Sequence, residues 1–415
     1  MPVSWNKKYS PVEVIEKLEA TRKSDDKGKV SFSGWGHQEF KTLIYSMLNF
    51  SEVMPEIDAR QTVSRAIFIA GARGKITAKT LLTEINKLEK KYHSNPSERY
   101  ALSTSISLSQ SIVIPRIRFG RTQIIFEPSL PKKFEKEASK ILVSAKQSLF
   151  AEIPKNYLKV RVHISARSIH HAATQALDDL NLTRAIWNWV LNKGHTFRFS
   201  YGGKPKPVNK IILGPVHTIH EVNGILAAKN NWWYEPTYLG AISPYSPKKN
   251  ESDIIIRSFL YAKELLKTHK YPEVLKSAFI RYTMALDERN WTTAFLKLWS
   301  ILELLTDTTQ AAYDVTIRRT AFLYQERDYQ LQVLKHLREY RNSSVHFDKE
   351  SSEIEIYLYQ LKNYVEDLLN FHLRNHFGFQ THQESTEFLD LPYKDKILKT
   401  KIEKLELARK FFGYK

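Results

Sequence analysis

The sequence predicts an α+β chain, in which a mixed helix and short-strand N-terminal region is followed by an all-helical bundle. Three observations predict it. Apolar residues recur at three- and four-residue spacing through residues 1–95. Between about residues 98 and 239 they alternate with polar ones in several short runs, and after residue 252 the strand signals disappear. The expected organisation is a basic α+β region over 1–245, divisible at about residue 95, a helical bundle over 252–380, and a helical extension over 381–415.

In the first subdomain the spacing predicts helices over residues 12–22, 38–48, 62–70 and 77–92, with a loop at Gly34 and Gly36. In the second, Leu102, Ile106 and Leu108 alternate with serine and threonine, and 112–114 and 124–126 are apolar triplets. Short antiparallel strands follow, one of them interrupted or placed at an edge by Pro115. Helices are expected over 132–149 and 169–193, and strands over 158–164, 211–222 and 232–239. Residues 243–249 hold two prolines and two lysines and are the expected linker. Beyond it, amphipathic helices are expected over 254–266, 274–286 and 291–305. Asp314 caps another, and Leu331, Val333, Leu334, Leu337 and Tyr340 mark the next. Ser352 and Glu355 fit a capping box ahead of a stripe running from Ile354 to His372. A last helix over about 394–412 packs outside the bundle.

Composition narrows the function classes. The chain has no cysteine, which excludes disulfides, thiolate metal sites and a cysteine nucleophile. The first residues lack an apolar segment of the secretory kind, and no apolar run approaches the ~20 residues needed to span a bilayer. A cytoplasmic protein with no membrane contact is expected. Net charge is +19, unevenly placed. Residues 251–415 hold 25 Lys+Arg against 24 Asp+Glu, whereas the first 250 hold 38 against 20. A polyanion is drawn to the N-terminal region. Arg116, Arg118, Arg121, Lys159 and Arg161, among expected strands with Phe119 and Phe126, are the candidate nucleic-acid contacts. The plain alternative is a solvated basic sheet face.

The segment Arg341, Asn342, Ser343, Ser344, Val345, His346 follows an apolar-periodic helix and precedes another. Its Arg-to-His spacing recurs by chance and carries little alone. On an unbroken helix the two side chains would point about 140° apart, at ~100° per residue. Asn342, Ser343 and Ser344 are turn-forming residues, so a break there is expected to turn both side chains into one cleft.

With the helix Phe295, Leu296, Lys297, Leu298, Trp299, Ser300, Ile301, Leu302, Glu303, Leu304, Leu305 some forty residues earlier, this segment resembles the Apea-like branch of the HEPN superfamily, over about residues 254–377. Residues 1–250 resemble no family. The resemblance implies a metal-independent endoribonuclease, in which the RNA 2′-OH attacks the adjacent phosphate. It needs no cofactor and no metal. His346 would move protons near neutral pH. Arg341 would hold the phosphoryl oxygens with planar donors as charge builds. Asn342 would fix the imidazole tautomer or bond the phosphate, and Glu303 would support the site. The resemblance also implies a homodimer with both motifs on one cleft. It implies a role in antiphage defence, cutting tRNA or other RNA when triggered by a phage protein or nucleic acid. Two alternatives stay open: a non-catalytic dimerisation or RNA-binding module, and a basic nucleic-acid-binding regulator.

Other groupings are weaker. His163, Arg167, His170 and His171 lack a carboxylate at ligand spacing. His372 and His376 are one turn apart, but His372 falls on an apolar stripe. Trp232, Trp233 and Tyr234 suit a core or an interface better than a base platform.

Overall fold

The computed structural model describes residues 2–25, 30–32, 36–50, 54–109, 114–149, 154–193, 206–228, 232–238, 242–308, 313–347 and 353–414, the side chains of 36, 37, 149, 236 and 345–347 excepted. It is an α+β fold with a helical C-terminal region. The N-terminal part holds α1 (Pro11–Ala20), α2 (Gly36–Ser46), α3 (Glu56–Arg73) and α4 (Ala78–Ser94). Two small antiparallel pairs complete it, β1 (Ser4–Trp5) with β4 (Leu48–Asn49), and β2 (Arg22–Ser24) with β3 (Val30–Phe32). Leu18, Ile44, Val63, Ile67, Leu81 and Ile85 form a core of its own here. Thr77 caps α4, its side chain accepting from the Thr80 N–H at 3.1 Å while Thr80 Oγ1 accepts from the Thr77 N–H at 2.9 Å.

A six-stranded sheet follows, built from β5 (Glu98–Ile106), β6 (Arg116–Phe119), β7 (Thr122–Glu127), β8 (Leu158–Ala166), β9 (Val216–Glu221) and β10 (Trp232–Tyr234). The order is β10-β9-β5-β8-β7-β6, and every pairing is antiparallel. Residue burial alternates along β8, as a period of two requires. One face carries Leu102, Ile124, Phe126, Val160 and Val162 and packs on α6 (Ile169–Asn192). α5 (Lys132–Leu149) covers part of the other. The apolar triplet expected at 112–114 lies mostly outside the described residues, and so does Ser352 of the expected capping box.

The back half holds α7 (Lys249–Thr268), α8 (Pro272–Leu286), α9 (Trp291–Leu305), α10 (Tyr313–Ala321), α11 (Arg327–Phe347), α12 (Ile354–Arg374), α13 (His382–Leu389) and α14 (Asp395–Phe411). α9 is apolar nearly all round and packs against α8 and α12. No residue of α14 is buried.

The domain division expected near residue 245 does not separate two cores. One apolar cluster runs from Tyr100 in the sheet, through α6, to Leu389 beyond the bundle. α6 is the shared element, because it packs on the sheet and on α7 and α8. A buried polar network crosses the same seam. Arg184 and Asp287, both fully buried, are ion-paired at 3.0 Å. The pair is completed by Arg184 donating to the Ile211 carbonyl at 2.9 Å, and by Tyr238 and Asn209 each donating to Asp287 at 2.7 Å. These bonds offset much of the cost of burying the ion pair, although Arg184 Nε is buried without a hydrogen-bond partner. Further along, buried Lys362 and Glu366 of α12 pair at 3.0 Å, and Tyr282 of α8 donates to Glu366. The separation between cores falls instead near residue 96. Even there Asp58 of α3 accepts from Ser168, at the start of α6, at 2.7 Å and from Tyr92 at 3.2 Å.

Candidate functional site

α11 is continuous from Arg327 to Phe347, so the break expected at Asn342–Ser344 is absent. Within the helix Ser343 Oγ donates to the Tyr340 carbonyl at 2.9 Å, so its hydroxyl is satisfied without a turn. Within one chain, therefore, positions 341 and 346 stay about 140° apart around the axis. The side chain of His346 lies outside the described residues.

Arg341 is half-buried, and its guanidinium carbon lies 4.8 Å from the centre of the Tyr313 ring. Its Nη1 donates a long bond, 3.4 Å, to Oδ1 of Asn342. Among the described residues no carboxylate pairs with it. Arg338, one turn earlier, differs in being ion-paired to Asp314. Tyr340 is buried against Phe295 and Tyr357, which fixes the helix on the bundle. Glu303 does not reach Arg341. It accepts from Trp299 Nε1 at 3.0 Å, and the Trp299 ring in turn packs on Tyr313. Glu303 is thus connected to the guanidinium only through contacts of Trp299 and Tyr313, among the described residues.

The basic residues of the sheet divide into two groups. Pairing places Arg118 opposite Gln123, Gln123 opposite His163, and Arg116 opposite Ile125, which faces Arg161. Glu127 faces Lys159 in the next row. Arg116, Arg118, Lys159 and Arg161 therefore share the face that α5 partly covers. Arg161 is not available to a polyanion. It is bound by both carboxylate oxygens of Glu127, at 3.0 and 3.1 Å, and lies over the Phe134 ring of α5 at 4.9 Å. It also donates to His163 Nε2 at 3.1 Å. His163 must accept there, so its own proton sits on Nδ1. Lys159 lines a cleft of about 520 Å³ between α5 and the sheet, and burial pushes its ammonium pKa down. Arg116, Arg118 and Arg121, on and beside the edge strand, are exposed. Arg99, which the sequence did not single out, is exposed on the same face, opposite Ser165. Its place depends on strand register, which local sequence does not display.

Among the described residues no group of three potential ligands can hold a metal ion. His372 is a core residue. It donates from Nε2 to the Leu305 carbonyl at 2.9 Å and accepts from Tyr271 at 3.2 Å, and burial pushes its pKa down to about 3. His382 donates to the same carbonyl at 3.1 Å. Together they hold the end of α9 to α12 and α13. His171 shares a bond of 3.3 Å with the Tyr92 hydroxyl, and His170 packs on Trp233. Among the described residues no helix is long and apolar enough to cross a membrane. Comparison with family models, with curated proteins and with solved structures finds no match to the chain.

Proposed function

We propose that the chain is a metal-independent endoribonuclease of the HEPN type, and that its site is completed between two copies of α11. The observation that carries this reading is Arg341. A guanidinium held on an aromatic ring, half-open to solvent and bound by no carboxylate among the described residues, is poised for an anion that the fold does not itself provide. Asn342, its neighbour, offers an amide to the same anion or to an imidazole. His346 lies on the same helix, five residues on.

The unbroken helix supports a site shared between two chains. Side chains 140° apart on one rod cannot converge on one phosphate without a second rod at about 100° per residue. Two α11 helices set side by side bring the Arg341 of one chain toward the His346 of its partner. In that cleft the RNA 2′-OH attacks the adjacent phosphorus, and the bond to the 5′-oxygen of the next nucleotide breaks. The His346 imidazole takes the 2′-OH proton and, as its conjugate acid, returns a proton to the leaving oxygen. Arg341 neutralises the phosphoryl oxygens as charge accumulates. The products are a 2′,3′-cyclic phosphate and a 5′-hydroxyl.

In cells the proposed role is a restrained effector of antiphage defence, acting on tRNA or other RNA when a phage protein or nucleic acid engages the N-terminal region. The test is to incubate pure protein with total RNA in EDTA. Wild type is expected to leave cyclic-phosphate ends, and His346→Ala to leave the RNA intact. Equal degradation by the two proteins would dismiss the site.

A further inference from the structure

We propose that the open end of the sheet face is a phosphate track for single-stranded RNA, formed by Arg99, Arg118 and Arg121 over a floor of Gln123, His163 and Ser165. The choice of RNA rests on the ribonuclease reading, but the track itself rests on the geometry of the sheet. Arg118, Gln123 and His163 lie side by side across β6, β7 and β8, and Arg99 faces Ser165 in the next row between β5 and β8. Arg121 sits in the turn between β6 and β7. These six residues line a cleft of about 510 Å³, and among the described residues no carboxylate lines it.

A second cleft, of about 620 Å³, shares Arg118, Gly120, Arg121, Thr122, Ile164 and Ser165 with the first. It continues around the hairpin toward α7 and α8, where Lys263, Lys267 and Lys276 join it. Glu264 and Asp179 also line this part, and Lys267 is 3.7 Å from Glu264. The first cleft differs in that its three guanidiniums have, among the described residues lining it, no acid beside them. Both volumes fall in the range of about 300–1,000 Å³ over which proteins enclose ligands.

Charge pairing separates this cleft from the rest of the face. Arg161 has Glu127, whereas among the described residues none of Arg99, Arg118 and Arg121 has a carboxylate partner. Three guanidiniums facing one cleft repel one another, and a polyanion relieves that cost while releasing its counterions. Guanidinium also matches phosphate with paired donors better than ammonium does. His163 is kept neutral by burial and by the neighbouring Arg161, and its proton on Nδ1 is a donor for a phosphate or a ribose hydroxyl. Pockets of this size suit a strand whose nucleotides enter one at a time, whereas duplex RNA is contacted across a broad, shallow groove. The track holds RNA on residues of the sheet that are distinct from Arg341 and His346 of α11, where cutting is proposed.

The test uses the full chain and a short 2′-O-methyl RNA, which cannot be cut because the attacking hydroxyl is blocked. Binding is followed by fluorescence anisotropy across a salt series. The triple variant R99A/R118A/R121A is expected to bind roughly tenfold more weakly. The slope of log K against log salt should shrink by about 2, at ~0.7 for each lost single-strand phosphate contact. Lys404→Ala, exposed on α14 and lining neither cleft, should lose less than about twofold. If the triple variant fails to fold, Arg118→Glu is measured instead, with a loss of the same order expected. Wild-type affinity and slope in the triple variant would overturn the track, as would an equal loss from Lys404→Ala. Since the probe resists cleavage, either result stands whether or not Arg341 and His346 cut RNA.

Discussion

Arg341 and Arg161 carry the same charge in opposite circumstances. Arg161 is gripped by Glu127 and covered by α5, so it contributes to packing. Arg341 rests on Tyr313 and, among the described residues, makes only a long bond to Asn342, which leaves donors for an anion. Because a planar fork is what the phosphoryl oxygens require, Arg341→Lys is expected to lower cleavage by about 100-fold despite keeping the charge. Near wild-type cleavage by Arg341→Lys, scored in a single-turnover assay, would reduce Arg341 to a generic cation. Glu303 bonds Trp299 and not Arg341, so Glu303→Gln, which can still accept that bond, should cleave within about threefold of wild type. The arginine and histidine were legible as residue types. Their relative direction was not, because Asn342, Ser343 and Ser344, turn-forming by type, stay within a continuous helix, and a single residue's propensity is a weak guide inside a packed bundle.

At the scale of elements, legibility follows the strength of the period. α5 covers the residues its apolar spacing predicts, 132–149, and α6 ends within a residue of expectation. α13 has only eight residues, too few for a period to stand out, and no signal marked it. The strand expected over 211–222 forms only from Val216, because Ile211 and Ile212 are buried in irregular chain that serves Arg184 and Asn188. α14 buries no residue, although Tyr393 just before it lies 4.2 Å from the Arg327 guanidinium. Truncation after Lys394 should therefore leave the melting temperature unchanged within about a degree, since surface changes alter stability little. A clear drop would show that α14 packs on the bundle in solution.

For the whole molecule, the unit that folds runs from the sheet through the bundle. Tyr245, between the two prolines of the expected linker, bridges to Leu108 of the sheet region, and one apolar cluster has members on both sides of it. Contacts of that kind join residues such as Arg184 and Asp287, distant in sequence, so no local pattern announces them. Arg184→Met strands the Asp287 carboxylate without its ion-pair partner and should cost about 3–5 kcal/mol in urea unfolding. Acid should weaken the same unit. Burial holds His217 and His372 near pKa 3 in the folded chain. In the unfolded chain each takes its proton near 6.5, so below that pH the unfolded state binds more protons and stability falls. The cost is about 1.4 kcal/mol per pH unit for each histidine, until the folded groups titrate. The urea midpoint at pH 5 should accordingly lie below that at pH 7, and equal midpoints would show that these histidines are not buried neutral.

The most direct measurement of the shared site mixes two inactive proteins. Arg341→Ala and His346→Ala are each assayed alone on RNA in EDTA, then together after subunit exchange has been verified. A cleft built from two α11 helices receives Arg341 from one chain and His346 from the other, so the mixture should regain cleavage that neither variant has. Exchange without any recovery of cleavage would contradict it.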